Sequence, residues 1–306
     1  MHPELEALLH QQLGVITHLQ ALAFFSPEAI RHRVRAGRWE RILHGIYAIA
    51  GGISDPLIRA AAAQLAYGDR VFLSFEDAAT LLGFGVLSSR TTHVTALAGD
   101  DIQGCAGVTV HTSTVAIEPV VVRGLRGTPA ARTVVDLARS RTLRNGLAVA
   151  DAALARGLER DDLVAEVARH AGLRGVVNAR QVVAWADARS ESPQESRVRA
   201  ECLRAGFPPP DLQISICDAW GNEIYRIDLG WKEYKLGVEY DGQQFHLFDQ
   251  AVFRRDRQKQ NHLLSMGWEL LRFTDVDLHP STQAMTATIG SALVRRGWRP
   301  RASAAA

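Results

Sequence analysis

The sequence predicts a multidomain α+β protein, and three observations carry that reading. The chain has 306 residues, enough for two or three domains at roughly 100–200 residues each. Its composition, 47% hydrophobic and 22% charged, is that of a packed globular protein rather than a disordered or fibrous one. Helical and strand periodicities also alternate irregularly, in three stretches of different character: 1–55, 56–189 and 190–306.

The first stretch reads as three short helices and a hairpin. Leu5, Leu8 and Leu9 recur at helical spacing within residues 3–12, and Gly14 interrupts them. Thr17 can cap a second helix running to Ala23. Ser26-Pro27-Glu28 opens a third: the serine caps, the proline suits the first turn and the glutamate meets the helix dipole. That helix runs to about Ala36 and stops at Gly37. WERILHGIYAIA, residues 39–50, then alternates like two short strands around His44-Gly45. Helix, helix, helix, hairpin is the order of a winged helix-turn-helix. The third helix carries Arg31, Arg35 and Arg38 along one stripe with Arg33 nearby. Such a stripe neutralises phosphates and reaches base edges, so DNA is the expected partner.

Residues 56–189 predict an α+β middle domain. A helix near PLIRAAAAQLAYG precedes a strand near VFLSF, a short helix over EDAATLLG, and strands near THVTAL, VTVHT and PVVVRG. Four helices then begin near Pro129, Leu143, Arg160 and Asn178. His93 and His111 fall in strands, and Asp136 and Asp151 on apolar-faced helices. These four read as structural, because no nucleophile–base pair or phosphate loop stands out around them. SESPQESR, residues 190–197, is polar, contains proline and marks the next boundary.

Composition narrows the function classes. Lys and Arg number 35 against 33 Asp and Glu, so any nucleic-acid site must be local rather than a global basic field. The cysteines, Cys105, Cys202 and Cys217, are odd in number and scattered, which fits a reducing compartment. The opening MHPELEALLHQQLG is not signal-peptide-like, and no apolar run approaches the ~20 residues of a membrane span. A cytoplasmic protein with no membrane partner is expected.

The chemistry concentrates in residues 190–306. A helix over 194–206 precedes an extended FPPPDLQ connector. Strands over QISICDAWG and NEIYRIDLG follow, turned at Trp220-Gly221-Asn222, and then a strand over KLGVEYDG. By period-2 alternation, Ile227 and Leu229 face one side and Asp228 the other. Leu236, Val238 and Tyr240 likewise oppose Glu239 and Asp241. If these strands pair, Asp228 and Glu239 share a face among apolar neighbours, where an unpaired carboxylate is costly. A hard divalent cation is the simplest common partner, and carboxylates with waters suit Mg²⁺. Glu195 can add a further acid. Asp241-Gly242 also reads as a simple turn. His246 is a candidate general base or phosphate contact, or an ordinary surface histidine. The helix over 250–265 carries Arg254, Arg255, Arg257 and Lys259, and WELLRFT after it is a strand with Arg272 near its end. A last helix spans about 281–296.

These pieces resemble a known group. ESR at 195–197, IDL at 227–229, VEYDGQQFH at 238–246, RRDRQKQN at 254–261 and GWELLRFT at 267–274 look like the very-short-patch-repair-endonuclease-like branch of the PD-(D/E)XK nuclease superfamily. The front, through GVITHLQAL, the SPEAIRHRVRAGRW helix and the GIYAI wing, is similar to the winged-helix N-terminal domain of AbiE-type antitoxins. The resemblance implies a C-terminal α/β restriction-endonuclease-like domain, a central mixed sheet flanked by helices. It also implies phosphodiester hydrolysis dependent on Mg²⁺ (or Mn²⁺), with Glu195, Asp228 and Glu239 as the superfamily's acids. One departure is visible: the usual lysine two positions after the second acid is replaced by Asp241. Lys235, His246, Arg255, Lys259 and Arg272 are then the candidates to meet transition-state charge, and Asp241 could hold a second metal. Arg254, Arg255 and Lys259 are candidate DNA contacts. The alternative is an antitoxin-like transcriptional regulator whose nuclease-like domain is inactive or binds a partner, such as a cognate toxin or a repair or defence protein.

Overall fold

A computed structural model describes residues 2–49, 55–218, 220–241 and 250–300, and the side chains of these except 250–256. The chain is α+β, with three sheets among the described residues. It divides into two units, residues 1–141 with 156–183 and residues 142–155 with 184–306.

Local capping starts the first unit. Helix α1 (Pro3–Gln11) opens with proline and Glu4 and Glu6 in its first turn. Strand β1 (Val15–Thr17) follows, an element that the glycine break at Gly14 hid from the sequence. A capping box starts α2 (His18–Leu22): the Gln20 N–H donates to Thr17 Oγ1 at 3.1 Å, and the Thr17 N–H to Gln20 Oε1 at 3.0 Å. Ser26 caps α3 (Pro27–Arg35). Strands β2 (Trp39–Leu43) and β3 (Ile46–Ile49) pair antiparallel, and β1 completes a sheet of order β1-β3-β2. Leu5, Leu9, Ile16, Ile30 and Trp39 form the core beneath.

The rest of this unit wraps a second sheet. It comprises α4 (Pro56–Tyr67), β4 (Val71–Leu73), α5 (Phe75–Leu81), β5 (Thr92–Leu97), β6 (Val108–Ser113), β7 (Val120–Val122), β8 (Leu125–Gly127) and α6 (Ala130–Ser140). The sheet order is β6-β5-β4-β8-β7. The strand expected to reach Phe75 ends at Leu73. Phe75 instead opens α5 at a left-handed φ of +51°, with Glu76 and Asp77 in the first turn where the helix dipole favours acids. Helix α7 (Leu143–Ala155) belongs to the second unit, and α8 (Arg160–Arg169) returns to the first. Helix α9 (Val176–Trp185) contributes to the first unit through Val183.

In the second unit, Ser192 and Pro193 start α10 (Pro193–Arg204), where the Glu195 N–H donates to Ser192 Oγ at 3.1 Å. Buried Arg199 clasps α10 to α7, donating to Asp151 Oδ2 at 2.6 Å. The elements that follow are β9 (Asp211–Cys217), β10 (Glu223–Trp231), β11 (Leu236–Tyr240), α11 (Gln250–Ser265), β12 (Glu269–Phe273), α12 (Asp275–Leu278) and α13 (Gln283–Arg295). They build a four-stranded sheet of order β12-β11-β10-β9, antiparallel except for the parallel β11–β12 pair. A parallel neighbour needs a crossover, and α11 supplies it.

Apolar clusters lie on both faces of this sheet. Val198, Leu212, Leu229, Val238, Ile289 and their neighbours form one, and Ile214, Ile216, Ile227, Leu263 and Trp268 the other. Simple alternation would set Ile227 and Leu229 on one side, and it fails here: the two residues join different clusters. Their partners behave alike, Ile227 opposite Ile214 and Leu229 opposite Leu212. The break falls between them, where Gln213 adopts φ +50° and interrupts the pleat. Asp228 lies directly across from Gln213 at this break.

Among the described residues, no helix is long and apolar enough to cross a membrane. Cys105 and Cys217 are exposed and Cys202 is buried, and all three are free thiols.

Candidate active site

The β10–β11 register pairs Leu229 with Val238, and one step further sets Asp228 beside Glu239. The Tyr240 N–H donates to Asp228 Oδ2 at 3.3 Å, tying the acid to the neighbouring strand. Burial, the charge of Glu195 and the charge of Glu239 together raise the Asp228 carboxyl from 3.8 to about 6, against the hydrogen bond from Tyr240 and the charge of Lys259. These three acids therefore share one electrostatic site.

Each acid is held by a different element. Glu195, buried in the first turn of α10, accepts hydrogen bonds at 3.0 Å from the Glu191 N–H and from Gln213 Nε2. Glu239 is buried in β11, and Lys259 of α11 is ion-paired to its Oε1. Lys259 and Leu263 are four apart on one helical face, and buried Leu263 anchors that face to the sheet. Arg272, beside Glu239 in the parallel β11–β12 register, lies 3.4 Å from its other oxygen.

The remaining candidates sit elsewhere or differently. Lys235 is at the opposite end of β11, with φ +47°, and donates to the Met266 carbonyl at 2.9 Å. Asp241 is exposed just past β11, its N–H bonded to the Phe273 carbonyl. His246 lies outside the described residues. Arg254 and Arg255 are in the α11 backbone, with side chains outside the described set. Gln213, a member of the site by its bond to Glu195, was not singled out by sequence, because a glutamine in a strand carries no signal of its own.

A divalent cation fits this donor set in a limited sense. Among the described residues no three acids, histidines or cysteines converge to hold a metal by themselves. Mg²⁺ ordinarily takes only one or two carboxylates, completing its shell with water and substrate phosphate. Two adjacent hard carboxylates, one destabilised in its charged form first by burial and then by neighbouring acids, suit that role.

In the first unit, the arginines of α3 separate into two kinds. Arg33 lies 3.6 Å over the Phe25 ring and donates to the Ala29 carbonyl at 3.2 Å, so it serves packing. Arg31 is ion-paired to Glu28 within its own helix. Arg35, the last residue of α3, is exposed; Arg38, also exposed, lies beyond the helix, which Gly37 at φ +66° ends, so the expected helical stripe stops at Arg35.

No protein-family model matches the chain. Two proteins of Mycobacterium tuberculosis, the uncharacterised MT2308 and Rv2248, are each 30% identical to it over 264 residues, 86% of this chain and 95% of theirs. The crystal structure of the Rv2827c protein, also from Mycobacterium tuberculosis, aligns at a TM-score of 0.42 and 14% identity, over 69% of this chain and 86% of that one. At this identity and coverage, the chain belongs to the family of the mycobacterial proteins Rv2248 and MT2308.

Proposed function

We propose that the protein is a DNA-binding, Mg²⁺-dependent endonuclease. One observation carries the reading: a helix bearing Glu195, an antiparallel strand pair juxtaposing Asp228 and Glu239, and a following helix that delivers Lys259 to Glu239. The mixed four-stranded sheet, preceded by α10 and crossed over by α11, is in keeping with the central mixed sheet flanked by helices that the resemblance implies. Bound Mg²⁺ would supply positive charge at the scissile phosphate. Asp228 and Glu239 would hold it, and Glu195, braced by Gln213, would support Asp228. Lys259 comes from the helix rather than from the strand position that Asp241 occupies. Its ammonium, paired with Glu239, would meet the charge building on the phosphate. Arg35, exposed at the end of α3, and Arg38, exposed in the turn between α3 and the β2–β3 hairpin, would engage DNA as the edge of a recognition helix and its wing.

A second reading is a DNA-binding regulator whose nuclease-like domain does not cut. The neutralisation of Glu239 by both Lys259 and Arg272 favours it. Supercoiled plasmid incubated with the protein in Mg²⁺, Mn²⁺ or EDTA separates the two. Nicking confined to the metal lanes supports the nuclease. Salt-sensitive binding with no nicking in any lane supports the regulator.

A further inference from the structure

The first unit contains a second polar centre, independent of the carboxylates of the second. Ser89 Oγ lies 2.9 Å from His93 Nε2, and His93 Nδ1 lies 2.8 Å from His111 Nε2. The Ser89 hydroxyl already accepts the Thr91 N–H at 3.2 Å, which leaves its own proton to give. Received by a bare His93 Nε2, that proton requires the tautomer whose Nδ1–H donates to His111. The His93 backbone is fixed by its N–H bond to Asp77 Oδ2 at 2.7 Å. The His111 ring is flanked by Phe75, whose ring centroid lies 4.1 Å away at a 36° tilt and whose backbone holds a strained φ of +51°.

Glu76 adds an observation that packing alone does not explain. Arg141 binds its Oε1 at 2.7 Å, yet its Oε2 is buried without a hydrogen-bond partner among the described residues, 3.7 Å from His93 Nε2. A buried carboxylate oxygen left unpaired is costly. It gains an ion-pair partner, at 3.7 Å, when Nε2 carries a proton. Burial foremost holds His93 below the usual imidazole range and pushes His111 down to about 4, so both rings are neutral at pH 7. His93 is then a base with a counter-charge in place for its protonated form. Ser89 and His111 are half-buried rather than sealed.

We propose that Ser89, His93 and His111 form an acyl-transfer centre that takes small esters, with Ser89 as nucleophile, His93 as general base and His111 as the positioning residue. Ser89 Oγ bonds to the ester carbonyl carbon while its proton moves to His93 Nε2, where Glu76 stabilises the imidazolium. The carbon–alkoxide bond then breaks, and the alcohol leaves with that proton. Water, deprotonated by the same nitrogen, releases the acid and restores Ser89.

The test is active-site labelling of the full chain with a fluorophosphonate, read by peptide mass spectrometry, with thermal melts as the fold control. The expected result is a label on Ser89. His93→Gln should slow it about 100-fold or more, the span of general-base assistance. His111→Phe should slow it about tenfold, in keeping with the loss of one orienting hydrogen bond. His111→Gln, whose amide oxygen accepts from Nδ1, should restore most of that loss. Should His93→Gln fail to fold, the wild-type peptide map decides alone. Absence of label on Ser89 in the folded wild type overturns the proposal, as does an unchanged labelling rate in folded His93→Gln. Neither result bears on the Asp228–Glu239 site.

Discussion

Asp228→Asn should stabilise the metal-free protein while removing its proposed activity. The acid is raised from 3.8 to about 6, first by burial and next by Glu195. At ~1.4 kcal/mol per pKa step, that displacement corresponds to about 3 kcal/mol against the charged form. The carboxyl is only partly buried, and water screens it to about half, or ~1.5 kcal/mol. Asparagine keeps an oxygen for the Tyr240 N–H and loses the charge. The melting temperature of a unit this size should rise by about 3–6 °C near neutral pH. The sign fixes the pH window. A carboxyl raised in the folded state contributes stability that is present below its unfolded value of 3.8 and lost as pH rises through about 6. The advantage of Asp228→Asn should therefore be full at pH 7.5 and vanish by about pH 4. Differential scanning calorimetry in EDTA across that range is the assay. Saturating Mg²⁺ should reverse the order by stabilising the wild type alone. A variant no more stable at pH 7.5, or a gain that persists at pH 4, would refute the shared-charge account of the site.

Three further outcomes are expected. Gly237→Ala should destabilise by about 1–3 kcal/mol, because its Cβ would meet Ile227 Cγ2 at 2.9 Å and Leu270 Cδ1 at 3.0 Å, and urea unfolding reads the loss. Arg35→Ala should weaken DNA binding and reduce the salt slope by about one. Arg33→Ala, which unstacks Phe25, should instead lower stability with the salt slope kept; fluorescence titrations in a salt series distinguish the two. Because His93 and His111 are depressed below 6.5, their contribution is present above that pH and lost as pH falls toward about 4. Wild-type stability should decline over that interval, and His111→Phe should decline less, as denaturant midpoints at pH 7.5 and 4.5 will report.

What the sequence made legible was local. Ser26-Pro27 and Thr17 announce helix starts because a cap acts on backbone groups within three residues of it. Period-2 alternation set Asp228 and Glu239 on one face only on condition that their strands pair, and the β10–β11 register is what sets them side by side. The alternation misread Ile227 and Leu229 because the left-handed conformation of Gln213, a non-glycine residue, leaves no mark in the sequence. Lys259 and Arg272 were interchangeable with Lys235 as charge donors until packing separated them: Leu263 anchors Lys259 over Glu239, while Lys235 faces the Met266 carbonyl. Farther apart still, Glu76 and Arg141 meet across 65 residues, and His93 and His111 across 18. No window along the chain contains such pairs, which is why the histidines read as isolated core residues.

The measurement that bears most directly on the central claim is the initial rate of supercoiled-plasmid nicking by wild type and Glu239→Ala, each in Mg²⁺ and in EDTA. The account predicts nicking by the wild type in Mg²⁺ only, and a Glu239→Ala rate at the EDTA baseline with DNA affinity retained. Equal nicking by the two proteins in Mg²⁺ would contradict it, because the metal-holding role assigned to Glu239 would then be absent.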